Sequence, residues 1–227
     1  MQTPTERVRQ LCDWLDSVTL PDGGLPFALP IADPTGCAPF WVGADSSTSS
    51  LQITAVVAAL AHRVAAFDDA VANHPWLTRA TDYALDACRV ADETTHAIEL
   101  AFAVRFVDTI HDNHPDAPEI LEHLGTLIPA SGVKHVAGGA PDEVMRPLDF
   151  ATEAGPARQL FAPGIVDDEL ARLANEQRDD GGWAVDFGSF SPAAELEWRG
   201  YATVRAVTTL SAMQPRTPRP PESMRDR

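Results

Sequence analysis

Seven histidines, 33 carboxylates and three cysteines are the groups in this 227-residue sequence with reactive side chains. Few of them are spaced for chemistry. His96-x-x-Glu99 sets an imidazole and a carboxylate on one helical face, and both are metal-ligand types. The residues after them are apolar and Asp92-Glu93 stand just before, so a satisfied histidine at a helix start is the simpler reading. His111, His114 and His123 fall near a helix end and its loop and read as surface. Asp68-Asp69, Asp167-Asp168-Glu169 and Asp179-Asp180 are acidic pairs or triplets. The Asp167 to Glu169 run opens an amphipathic segment, where a helix dipole favours acids, and it reads as a solvated first turn. Cys12, Cys37 and Cys88 are odd in number, widely spaced and contain no CxxC, which argues against a cysteine framework for disulfides or zinc. No metal and no cofactor is expected. No glycine-rich phosphate loop and no G-x-S-x-G elbow occurs, and Ser46 to Ser50 reads as a helix-capping cluster.

The denser cluster is Asp186, Glu195, Glu197, Trp198, Arg199 and Tyr201, at the mouth of the last apolar segment. Asp186 and Glu197 are the candidate catalytic acids. Trp198, Arg199 and Tyr201 are the candidate binding residues. Acids beside aromatic faces suit a cationic or polyene ligand. The plainer alternative is a surface ion pair from Arg199 to Asp186 or Glu197, which is worth little. Asp149 and Glu153, in an irregular stretch, are weaker candidates.

Helices must position these residues. The 19 prolines leave windows 40–74, 76–114, 164–191 and 193–214 free, and proline costs about 3 kcal/mol inside a helix. Within the windows the apolar period is helical. Segments 5–18, 75–91, 116–128 and 165–177 are amphipathic. Segments 48–65, 94–111 and 199–213 are apolar around most of the circumference, the pattern of helices buried on most sides. Amphipathic segments precede apolar ones in three pairs, which predicts an outer and an inner layer of stacked hairpins. Segment 130–147 carries Gly132, Gly138, Gly139, Pro141 and Pro147 and reads as a loop or cap. The expected fold is all-α, a partial or short α/α toroid, with one domain over 1–214 and a disordered proline-rich tail over 215–227.

Two stretches repeat. Residues 14–29 run Trp14-Leu15-x3-Thr19, then Asp22-Gly23-Gly24-Leu25. Residues 172–187 run Arg172-Leu173-x3-Gln177, then Asp180-Gly181-Gly182-Trp183. The apolar segments that follow align with Arg199 on Ser49 and Leu210 on Leu60. Gln177-x3-Gly181-x-Trp183 resembles the QW repeat of the squalene and hopene cyclases. The wider strings resemble bacterial prenyltransferase or squalene-oxidase repeat proteins of the terpenoid cyclase and protein prenyltransferase superfamily. The resemblance is specific over 165–210 and weaker over 5–65. It implies an α/α toroid and an isoprenoid-like ligand. In physical terms Gln177, Gly181, Gly182 and Trp183 form a structural turn: glycine supplies positive φ, the amide satisfies helix-end groups, and the indole covers the joint. The family's D-x-D-D and D-D-x-x-D motifs are absent.

The net charge of −16 and pI near 4.6 exclude a nucleic-acid partner, which needs clustered cations. Lys134 is the sole lysine. No 18-residue apolar run occurs, so no membrane span is expected. The N-terminal residues lack an apolar signal segment, and a cytoplasmic protein is the expectation. The functional expectation is an isoprenoid-like apolar ligand in an inner cavity. The alternative is a non-catalytic helical-repeat scaffold. The hairpins number fewer than a complete toroid needs, which leaves an open arc, a compact short relative, or half of a homodimer.

Overall fold

The computed structural model describes residues 4–185 and 187–213. The tail expected to be disordered over 215–227 lies outside the described residues. Ten α-helices are present among them: α1 (Pro4–Val18), α2 (Pro39–Val42), α3 (Leu51–Ala65), α4 (Asp69–Ala72), α5 (Pro75–Arg89), α6 (Ala97–Ile110), α7 (Ala117–Thr126), α8 (Pro147–Phe150), α9 (Ile165–Asn175) and α10 (Pro192–Met213). The fold is all-α, as the periodicity predicts.

Caps set where the helices start. Ser50 accepts the Ile53 N–H and begins α3, and Pro75 occupies the first turn of α5, where its missing N–H costs nothing. Segment 199–213 is the front-truncated part of a longer helix. Ser191 Oγ accepts the Ala194 N–H at 3.2 Å, so α10 begins at Pro192, seven residues before its apolar run. Segment 130–147 contains no long helix, as expected, but it is not only a loop. Lys134–His135 and Val144–Met145 pair antiparallel, and α8 follows.

The helices lie in two layers. In one, α1 packs on α5 and α5 on α7; in the other, α3 lies along α6, and α6 reaches α8. Fully buried Trp76, Leu85, Leu100, Val104 and Phe106 fill the space between layers. Ala55, Ala58, Ala101 and Ala103, also fully buried, let backbones approach. The apolar α6 is buried on most sides, as its composition predicts. The apolar α10 is not: Ala206 and Thr209 are buried, while Leu196, Tyr201, Val204 and Val207 are exposed. Its described neighbours, chiefly α9 and the segment around α8, cover one side only.

The sequence repeat is a repeat of hydrogen bonds. After α1, Gly23 N–H donates to Leu20 O and Leu20 N–H to Gly24 O. After α9, Gly181 N–H donates to Arg178 O and Arg178 N–H to Gly182 O. Asp22 accepts from Gly24 N–H as Asp180 does from Gly182 N–H. The next amide then docks on a threonine of the following helix: Leu25 N–H on Thr54 Oγ1 at 2.8 Å, Trp183 N–H on Thr203 Oγ1 at 3.1 Å. Thr54 and Thr203 are therefore equivalent, which moves the sequence alignment of the two apolar helices by one residue. A partial third copy, not apparent from the sequence, follows α7. There Gly132 N–H donates to Pro129 O and Val133 N–H to Ser131 Oγ, but α8 stands in place of a long second helix.

The turn glycines differ in their surroundings, and this separates two costs. Gly23 has φ +94°, and a Cβ there would sit 2.7 Å from Arg79 O; Gly181 has φ +82° and open space. Gly181→Ala should cost about 1–2 kcal/mol from backbone strain alone. Gly23→Ala should cost clearly more, because α5 must also move. Urea unfolding of both variants checks the order, and equal losses would contradict it.

Candidate functional site

A cavity of about 250 Å³ lies between α8, α9, α10 and the Val144–Met145 strand. One wall is aromatic. Trp198 meets Phe187 edge-on at 5.3 Å and Tyr201 edge-on at 5.7 Å between ring centroids, a favoured quadrupole geometry. Trp183 and Val185 extend that wall. The rest of the lining includes charged groups. Asp149 accepts from Arg205, and its second oxygen accepts the Arg146 N–H at 2.7 Å. Arg105 Nε, from α6 behind the lining, donates to Asp149 O at 2.5 Å and its guanidinium lies over the Phe102 ring. Burial and the nearby Arg205 charge lower the Arg105 guanidinium to about 10, so it stays charged at neutral pH. On α9, Arg172 grips Glu169 with two bonds of 2.8 and 2.6 Å and also pairs with Glu176. Arg146 Nε is buried in this lining without a partner among the described residues.

The sequence candidates divide here. Trp198 and Tyr201 line the cavity. Arg199 does not; it pairs with Asp180 of the turn at 2.6 Å and braces it. Arg199 thus makes a surface ion pair, and its described partner is Asp180. Glu197 is exposed and lines no part of the cavity. Asp186 lies outside the described residues. Gln177, Gly181, Gly182 and Trp183 build the turn: Gln177 Nε2 donates to Gly181 O at 2.9 Å, and Trp183 Nε1 donates to Leu173 O at 2.7 Å. Trp183, 5 % exposed, serves the cavity wall as well. The acidic run also splits. Asp167 and Asp168 are exposed in the first turn of α9, but Glu169 is 7 % exposed and faces inward, against the reading of all three as solvated.

Asp149, a weak candidate, has become the centre of the charged groups. Arg105 and Arg205 were missed as site residues. A signal existed for Arg105: it is the one arginine of the apolar α6, and a buried cation requires an acidic or carbonyl partner.

His96 is committed elsewhere. Nδ1 accepts the Ile98 N–H at 3.3 Å and Nε2 donates to Ala137 O at 2.9 Å. Both ring nitrogens are used, which leaves no lone pair for a metal. No group of three or more metal-ligating side chains occurs among the described residues. Cys88 is buried, which pushes its thiol up to about 12 and away from nucleophilic use. Glu99 lines a second, more open cleft of about 810 Å³ with Phe27, Phe40, Asp45, Tyr83 and Asp92. Asp45 is held down to about 2 by Ser47 and Thr48. Glu99 is shifted upward by desolvation. A raised carboxyl favours the folded state while protonated, and that contribution is lost as pH rises through the folded value. Glu99→Gln should therefore raise the melting temperature at pH 7, with the gain vanishing below the ordinary carboxyl range. Melting curves at both pH values check this; a loss at pH 7 would contradict it.

No protein-family model, curated protein or solved structure matches the chain. No helix among the described residues is long and apolar enough to cross a membrane.

Proposed function

We propose that the protein binds a small isoprenoid-like molecule in the cavity between α8, α9 and α10, its apolar body on the aromatic wall and an oxygen-bearing end toward Arg146. The observation that carries this reading is one cavity lined by both aromatic rings and arginines, with Arg146 bringing a buried donor that has no partner among the described residues. A buried donor without an acceptor is costly, and a ligand oxygen removes that cost. At about 250 Å³ the space lies just under the ~300 Å³ lower bound of common ligand pockets, so the ligand is much shorter than squalene.

Binding fits the cavity better than alkene protonation. The two carboxyls of the lining, Asp149 and Glu169, are both engaged by arginine, so neither is free to face an alkene. The QW-like turn supports the reading by placing Trp183 at the cavity wall, and a short α/α-toroid arrangement of the hairpins is the architecture we propose. Titration with geraniol and farnesol, followed by tryptophan fluorescence, tests it. Saturable quenching is expected, and Ala202→Phe, which fills the cavity from α10, should abolish it. Quenching unchanged in that variant would place the ligand elsewhere and overturn the reading.

A further inference from the structure

The first and last hairpins share their turn chemistry but not their covering. With Thr54 and Thr203 equivalent, every α3 position has an α10 counterpart 149 residues on. Ala55 and Ala58, fully buried where α3 meets α5 and α6, correspond to Val204 and Val207, 68 % and 48 % exposed. Leu51, buried, corresponds to Gly200, exposed. The opposite faces reverse this. Ala206 and Thr209, buried on α10, correspond to Val57, which is partly buried, and to Leu60, which is 55 % exposed. Val64 continues the bare stripe one turn later.

The other layer shows the same reversal, with α9 positions 158 residues after those of α1. Glu169 and Arg172 line the cavity side of α9, and their counterparts Leu11 and Trp14 are half exposed. Asp13 and Asp16 hold α5 through His74 and Arg79, and their counterparts Ala171 and Ala174 are exposed. The α1–α3 hairpin is thus bare on the side where the α9–α10 hairpin is covered, and the reverse. Terminal hairpins of a repeat array need polar outer faces to stay soluble alone. Both bare faces here are apolar.

We propose that the protein self-associates head to tail, the α9–α10 face of one copy seated on the α1–α3 face of the next, continuing the interface that α3 makes with α5 and α6 inside the chain. Each face is what the other's position in the repeat packs against. Such a contact is heterologous, so it closes as a ring of few copies or extends as a filament. The inference is independent of the cavity and its ligand.

Sedimentation velocity of wild type, Val204→Glu, Leu60→Glu and an equal mixture of the two variants tests it. Both substituted residues are exposed in the single chain, and circular dichroism checks that each variant folds. Wild type should sediment as an oligomer and each variant alone as a monomer. The mixture should form a dimer, because α10 of the Leu60→Glu chain still meets α3 of the Val204→Glu chain. A wild-type monomer at every concentration overturns the proposal and leaves these faces to residues after Met213 or to a different protein. Loss of assembly in Val204→Glu but not in Leu60→Glu overturns it in favour of α10 pairing with α10.

Discussion

Trp183→Ala should destabilise the protein by about 3–5 kcal/mol, the usual range for deleting a buried aromatic ring. For a chain of this size each kcal/mol lowers the melting temperature by about 2–4 °C. The ring is 5 % exposed and its Nε1 donates to Leu173 O, so the variant also strands a carbonyl at the end of α9. The backbone bond from Trp183 N–H to Thr203 Oγ1 survives, but the indole that holds α9 against α10 does not. Few other contacts join these helices: α10 buries little beyond Ala206 and Thr209. Amide exchange should therefore accelerate most in α9 and α10 and least in α6. A melting temperature unchanged within error would contradict the account of the turn as the joint of that hairpin.

Asp149→Ala should cost about 2–3 kcal/mol, less than the ~3–5 kcal/mol for removing one partner of a fully buried ion pair, because the Arg205 and Asp149 side chains are 35 % and 16 % exposed. The loss comes from what remains. Arg205 keeps its charge beside Arg105, and the carboxylate that balanced both is gone. Asp149 also accepts the Arg146 N–H at the start of α8, a cap worth about 1 kcal/mol. Two further variants separate these contributions. Asp149→Asn keeps the cap and loses the charge, so it should recover only the smaller part. Adding Arg205→Met to Asp149→Ala removes the uncompensated cation and should recover the larger part. Urea unfolding of the three variants measures the split, and full recovery in Asp149→Asn would contradict the charge argument.

The seven long helices were legible because each lies in a stretch with its own apolar period, most of them in proline-free windows and some with a polar cap such as Ser50; the four-residue α2, α4 and α8 are too short to show a period. The turn was legible because Asp22-Gly23 and Asp180-Gly181 repeat as letters. Its partial third copy was not, because Ser131-Gly132 makes two of these bonds with a serine oxygen in place of the carboxylate and with Pro129, which has no N–H for the reciprocal bond. The alignment of α3 with α10 slipped by one residue for a related reason: side-chain similarity is flat along an alanine- and valine-rich helix, and only the threonine that receives the turn amide fixes the register. The exposure of α10 could not be read at all. An apolar helix looks the same whether its partner is in the same chain or another.

Trp198 and Tyr201 stand out in the sequence because they cluster there, and both line the cavity. The charged groups do not, because Arg105, Asp149, Glu169 and Arg205 come from four separate elements and meet only through packing. Glu197 adjoins Trp198 in sequence, but a step of one residue turns about 100° around the helix, and Glu197 is exposed and lines no part of the cavity.

The cavity reading is tested most directly by native mass spectrometry of the full chain after incubation with farnesol, wild type beside Ala202→Phe. The account predicts an adduct of one farnesol per chain in wild type and none in Ala202→Phe. Wild type without any adduct, or equal adducts in both proteins, would contradict it.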